Sequence, residues 1–170
     1  MPTPFMTLSE KIIARAAGLE SVSPGDIVTC AVDVAMMHDS SGPRRAGKML
    51  DELGVPIWDK DKLVVITDHY TNDPDPGSVE IQAITHKWVE EKELPHFLAE
   101  QGICHVVLPE KGFLKPGLFC VGADSHSTTG GAFGAFMIGV GATEMPGVLA
   151  TGEIWVRVPE TLRLDVSGTL

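Results

Sequence analysis

Short apolar runs of strand length alternate with segments of helical spacing. That alternation predicts an α/β protein, a three-layer α/β/α arrangement with a mainly parallel sheet, over residues 1–170 as a single region. Two further observations support it. The run LVVI at 63–66 is continuously apolar, as a parallel strand covered on both faces must be. The acid–imidazole doublets Asp68-His69 and Asp124-Ser125-His126 each close such a run, where ligands of open α/β sheets bind.

Taken in order, Thr7-Leu8-Ser9-Glu10 has the T-x-x-E spacing of a capping box. Leu8, Ile12, Ile13 and Ala16 follow at helical spacing as far as Gly18, a C-cap residue. Ser23-Pro24-Gly25-Asp26 is a turn. Residues 27–37, which include Val28, Val32 and Val34, read as one extended segment delivering His38 and Asp39. Pro43 at N1 and Gly54 past the end bracket a helix whose face carries Ala46, Met49, Leu50 and Leu53. TNDPDPG is a loop, and 78–94 form an amphipathic helix with Val79, Ile81, Ile84, Trp88 and Val89 as its apolar content. Residues 104–108 and 118–121 read as two more strands, with His105 at the start of the first. Helical turns fill 131–152, broken or restarted at Pro146. Residues 154–158 and 162–166 read as a closing strand pair around Pro159-Glu160, and the ending DVSGTL resembles a cut within a longer protein.

The length suits one domain with a sizeable core, and 44% hydrophobic content argues against disorder. No apolar run reaches the ~18 residues of a membrane span. The N-terminus MPTPFMTLSEK lacks the basic-then-apolar order of a secretory signal, so a cytoplasmic protein is expected. A net charge of −10 without a basic stripe argues against nucleic acid as a partner. An anionic substrate would then need a local cationic pocket, and Arg44-Arg45 is the only adjacent arginine pair. Cys30, Cys104 and Cys120 all sit in apolar contexts with no CxxC, as reduced cysteines in buried strands would.

A carboxylate beside an imidazole can orient the ring, set its tautomer and hold a proton ready for a leaving hydroxyl. Two such sites at strand ends point to chemistry, although Asp68 and Asp124 are also residue types that cap helices. His38-Asp39 reverses the order, and Asp39 could serve as an N-cap near Pro43. His86 and His96 are expected at the surface, on a helix and in a polar loop. The glycines after His126 match neither GxxxxGK[ST] nor GxGxxG, and GxSxG is absent, so they indicate close backbone approach more than a known cofactor loop.

The segment GADSHSTTGGAFGAFMIGVGATE resembles the signature of the aconitase superfamily of hydro-lyases. Its likeness is strongest to the isopropylmalate dehydratase and archaeal-type homoaconitase branch. VDVAMMHDSSGP, VVITDHY, GICHVVLPEKG and VLATGEIWVRVPETLRLDVSG agree in order, so the resemblance covers nearly the whole chain. The resemblance implies a hydroxy-dicarboxylic acid substrate that is dehydrated and rehydrated. The 2- and 3-isopropylmalate pair of leucine biosynthesis stands first, with homoaconitate, methylmalate and dimethylmalate as alternatives. It implies a [4Fe-4S] cluster in the complete enzyme, with cysteine ligands beyond residue 170 and no metal ligand in this chain. It implies that Asp68 and His69 protonate the leaving hydroxyl and that Asp124 pairs with His105. Ser125 and His126 would contact substrate or iron-bound water, and His38 would contact substrate. The implied partners are the remainder of the large subunit and a small, swivel-domain subunit that supplies the base. The chain alone is therefore expected to be inactive.

Two other readings compete. His69, His105 and His126 with Asp68 or Asp124 could hold one Zn²⁺ or Fe²⁺ in a small metalloenzyme. The chain could instead be a non-catalytic module that exposes an apolar docking surface.

Overall fold

The capping box at Thr7 sets the first helix. The Glu10 amide donates to the Thr7 hydroxyl (3.3 Å) and the Thr7 amide donates to the Glu10 carboxylate (2.6 Å). This starts α1 (Leu8–Ala17), which Gly18 closes in the left-handed conformation. The structure is a computed structural model and describes residues 5–169. The first four residues of the segment searched for a secretory signal, and Leu170 at the end of DVSGTL, lie outside that range.

Five strands form one sheet: β2 (Val34–His38), β3 (Leu63–Thr67), β4 (His96–Ala99), β5 (Phe119–Gly122) and β6 (Phe136–Gly139). Their spatial order is β4-β3-β2-β5-β6, and every neighbouring pair is parallel. The chain steps from β2 outward to β4, then returns to the other side of β2 for β5 and β6. The topological switch point therefore lies between β2 and β5, which is where doubly wound sheets bind ligands.

Side chains alternate between the two faces. Ala35, Met37, Leu63, Val65, Phe119 and Val121 pack in one core with residues of α1, α2 (Lys48–Leu53), α3 (Pro76–Lys92) and α5 (Met145–Thr151). Met36, Val64, Ile66, Cys120 and Met137 pack on the other side with Cys104 and Leu108 of α4 (Cys104–Glu110). This is the expected α/β/α sandwich.

Several elements differ from the sequence reading. Residues 27–37 are not one strand. They divide at Val32-Asp33 into β1 (Ile27–Ala31) and β2. The Asp33 carboxylate accepts the Phe119 amide (2.7 Å) and pairs with Arg15, so it ends one strand and pins the start of the next. β1 pairs antiparallel with β7 (Glu153–Arg157) in a separate two-stranded sheet. Residues 162–166 form no strand, and Leu162, Leu164 and Val166 are exposed. The helix after Pro43 begins as a π-helical turn, Gly42–Gly47, before α2. Ala46 and Leu50 of its expected face are buried, whereas Met49 and Leu53 are exposed.

Residues 104–108 belong to helix α4, not to a strand. β4 and β6 occupy segments read as loop and as helical turns, so His96 opens a strand and its ring meets Phe113 edge-on. A 3₁₀ helix, Ser127–Phe133, fills part of the glycine-rich segment, and Pro146 lies in the first turn of α5. His86 is exposed, as expected.

Candidate active site

Three strand ends meet at the switch point. β2 ends in His38-Asp39, the residues after β3 are Asp68-His69, and those after β5 lead to Asp124-Ser125-His126. Helix α4, lying on one face of the sheet, contributes His105 from its first turn.

Asp68 and His69 form the first pair, with Asp68 Oδ1 2.5 Å from His69 Nδ1. The other Asp68 oxygen accepts the Cys104 amide at 2.7 Å. Ile103, the N-cap of α4, makes no capping side-chain bond, so Asp68 satisfies the helix start from across the fold. The carboxylate both caps a helix and orients an imidazole. Among the described residues His69 Nε2 has no hydrogen-bond partner, on a ring whose side chain is 42% exposed.

Asp124 and His105 form the second pair, at 2.6 Å between Oδ1 and Nε2. The same oxygen accepts the His126 amide at 2.7 Å, which fixes the DSH turn. The His126 ring is largely exposed, 6.1 Å between centroids from His105. Ser125 is exposed, its hydroxyl 3.4 Å from His126 Nδ1.

His38 connects the pairs. Its ring stacks on His69, and its Nε2 lies 3.5 Å from Asp124 Oδ2 and 3.5 Å from the Ser41 hydroxyl. The Ser40 amide donates to His38 Nδ1 (3.2 Å), so the proton of the neutral ring sits on Nε2, facing Asp124.

The electrostatics follow from these contacts. Burial lowers the His38 pKa, and the neighbouring His69 lowers it further, outweighing the nearby carboxylates. Burial alone would raise Asp68, but the Cys104 amide and His69 hold it below the usual carboxylate value. Asp124 likewise stays low against burial, held by the His126 amide, His105 and His38. Both acids are ionised partners for their imidazoles.

Asp39 is a residue the sequence reading misplaced. It caps no helix; it is fully buried and accepts the amides of His69 (3.2 Å) and Tyr70 (3.0 Å). Its Oδ2 also accepts Gln82 Nε2 at 2.6 Å. Asp39 thus holds the loop that presents His69. The HD doublet was the only sequence signal, since its partners are 30 or more residues away.

Two glycines let the strand ends come together. A Cβ on Gly122 would sit 2.1 Å from the Ser127 hydroxyl, and one on Gly139 would sit 2.5 Å from the Asp124 carbonyl. Ser127 in turn donates to that carbonyl at 2.7 Å. Beside Asp124 lies an open cleft of about 690 Å³, lined by Ser41, Arg45, Ser125, Thr128 and the backbone around Gly139 and Gly141.

His38, Asp39, Asp68 and His69 form one group of possible metal donors, and His105, Asp124 and His126 a second. His69 belongs to one group and His105 and His126 to the other, so the single three-histidine centre is not assembled. Within each group the donor atoms already bond to one another or to backbone amides, and proton sharing accounts for their approach.

The model of the aconitase family (aconitate hydratase) matches residues 10–170. The chain belongs to the aconitase family. It is 47% identical over 166 residues to the 3-isopropylmalate dehydratase large subunit 1 of Methanopyrus kandleri, covering 96% of this chain and 39% of that protein. It is 45% identical over 168 residues to the probable methanogen homoaconitase large subunit of Methanothermobacter thermautotrophicus, again 96% and 39%. A probable 3-isopropylmalate dehydratase large subunit of the same organism is 46% identical over 166 residues, with 97% and 40% covered. The chain thus spans about two fifths of the length of these relatives.

Membership of the aconitase family implies an iron–sulfur cluster, which needs convergent thiolates. Cys30, Cys104 and Cys120 do not fit. Cys30 lies in the core on one face of the sheet, Cys104 and Cys120 in the core on the other. Burial pushes the Cys30 thiol up to about 11 and the Cys120 thiol up to about 12. Burial and the Asp68 carboxylate push Cys104 up as well. All three are buried as expected, although Cys104 is on a helix. No helix among the described residues is long and apolar enough to cross a membrane.

Proposed function

We propose that this chain supplies the proton-handling wall of a hydro-lyase that dehydrates and rehydrates a hydroxy-dicarboxylic acid. Interconversion of 2- and 3-isopropylmalate in leucine biosynthesis is the first assignment. One observation carries the reading: two carboxylate–imidazole pairs, Asp68–His69 and His105–Asp124, stand side by side at the switch point with His38 between them.

Dehydration needs a group that gives a proton to the departing hydroxyl, and rehydration needs the same group to take it back. His69 suits that role, because Asp68 binds Nδ1 and leaves the Nε2 of an exposed ring to exchange the proton. Asp68 compensates the charge when the ring carries its second proton. His105 and Asp124 fix a second acid–base pair beside it, and Ser125 and His126, both exposed, present polar groups to substrate.

The family's [4Fe-4S] cluster takes no ligand from Cys30, Cys104 or Cys120, so those ligands belong to the remainder of the large subunit. That remainder and a small, swivel-domain subunit complete the site and supply the base. Exposed Val106 and Phe133, lining a hollow of about 420 Å³ beside His105, give apolar surface for such covering chains. We assign the complete enzyme to the cytoplasm, a reading that the absence of a basic-then-apolar leader pattern in MPTPFMTLSEK supports.

A second substrate assignment, homoaconitate, is favoured by the likeness to the homoaconitase large subunit at 45% identity. The test is turnover by the complete two-subunit enzyme on 3-isopropylmalate, homoaconitate, methylmalate and dimethylmalate. Highest kcat/KM on 3-isopropylmalate is expected. Failure both to hydrate homoaconitate and to dehydrate any of the other three would overturn the hydro-lyase reading.

A further inference from the structure

The two charged residues lining the cleft beside Asp124 are in opposite situations. Asp124 is engaged: one oxygen takes His105 and the His126 amide, and the other faces His38. Arg45 is exposed, and among the described residues its guanidinium has no hydrogen-bond or ion-pair partner. Its neighbour Arg44 is occupied, donating to the Ser40 carbonyl at 3.0 Å and lying over the Tyr70 ring. The π-helical turn separates the two. Pro43, Ala46 and Gly47 are buried and Arg45 is left at the cleft. In a chain of net charge −10, this is the local cation that an acidic ligand needs.

We infer that Arg45 is the carboxylate anchor of the site, taking one carboxylate of the substrate in a bidentate pair. The inference rests on the hydro-lyase reading and names the residue that recognises the acid. A guanidinium matches the planar carboxylate at two oxygens, and the Ser125 and Thr128 hydroxyls line the same space. Asp124, the other charged residue lining the cleft, repels an anion, so the carboxylate is directed to Arg45. Arg45 is a specificity residue in this account, not a proton carrier.

The complete enzyme tests this with R45Q and R45K. Loss of one charge-assisted bidentate contact is expected to raise KM roughly 10-fold or more, with a smaller change in kcat. R45K, which keeps the charge without the fork, should fall between. Succinate, a dicarboxylate with no hydroxyl to lose, gives a readout independent of turnover. Calorimetry should show its affinity weakened by a similar factor in R45Q, with weaker salt dependence than in the wild type. KM and succinate affinity within twofold of wild type in R45Q would overturn the anchor while leaving the hydro-lyase reading intact. A wild-type enzyme that binds succinate through Arg45 but dehydrates none of the hydroxy acids would support the anchor and sink the hydro-lyase reading.

Discussion

The imidazole rings of His38 and His69 lie face to face, with centroids 4.1 Å apart and planes 15° from parallel. The buried ring is His38, and the exposed ring is His69. Two stacked rings cannot both carry charge cheaply, so the buried one stays neutral. Because His38 also faces Asp124, the stack makes one site of the Asp68–His69 pair after β3 and the pair that helix α4 and the end of β5 supply.

This stack predicts a stability profile. The pKa of His38 lies below its ordinary 6.5 when folded, so just below 6.5 the unfolded chain binds more protons than the folded one. Stability therefore rises with pH through this window and declines as pH falls below 6.5. Asp68 and Asp124, held below 3.8, add their losses only at more acidic pH. Thermal unfolding between about pH 5 and pH 7 should show the decline in the wild type and a flatter profile in His38→Gln. Parallel profiles would count against a buried neutral His38.

Asp39→Ala removes the acceptor of the His69 and Tyr70 amides and of Gln82 from a fully buried position. Stranded donors of this kind cost roughly 2–4 kcal/mol in total. Urea unfolding should report a loss of that order, and a change below about 0.5 kcal/mol would show the contacts to be incidental.

Gly122→Ala places a methyl group against the Ser127 hydroxyl and the end of Met137. Overpacking here should cost about 1–3 kcal/mol. Adding Ser127→Ala to it should recover part of the loss, since the nearest clashing atom is removed. Equal stability of the single and double variants would place the strain elsewhere.

The cysteines should be silent. Buried neutral thiols do not react, so a thiol reagent should label none of Cys30, Cys104 and Cys120 in the native chain and all three in urea. Replacing each with Ala should leave the iron content of the complete enzyme unchanged. Loss of iron in any of these variants would contradict the exclusion of these residues as ligands.

How much of this was legible in the sequence depended on the length of each signal. β3 is buried at every position, and its uninterrupted LVVIT run announced it. The capping box of α1 is local and was equally plain. The CHVVL run misled because five apolar residues suit a strand or a helix. Cys104, Val107 and Leu108 are buried while Val106 is exposed, an i, i+3, i+4 pattern that marks the helix. That difference mattered, because a helix lying against the sheet brings His105 to Asp124. β6 is four residues ending in Gly139, too short for periodicity to register. Residues 162–166 alternate perfectly yet pair with no strand among the described residues, since period 2 shows what a segment can pair as, not that a neighbour is present. In the site, Asp68-His69 was visible as a doublet. The Asp39 contacts are made by folding alone.

The most direct test of the account is kcat of the complete enzyme carrying Asp68→Asn or Asp124→Asn, measured in both the dehydration and hydration directions. Asparagine keeps the size and one acceptor oxygen but removes the charge that partners the imidazole. Each variant is expected to fold, with kcat falling roughly 10²- to 10⁴-fold in both directions. Wild-type turnover in either variant would contradict the claim that these two carboxylate–imidazole pairs carry the protons.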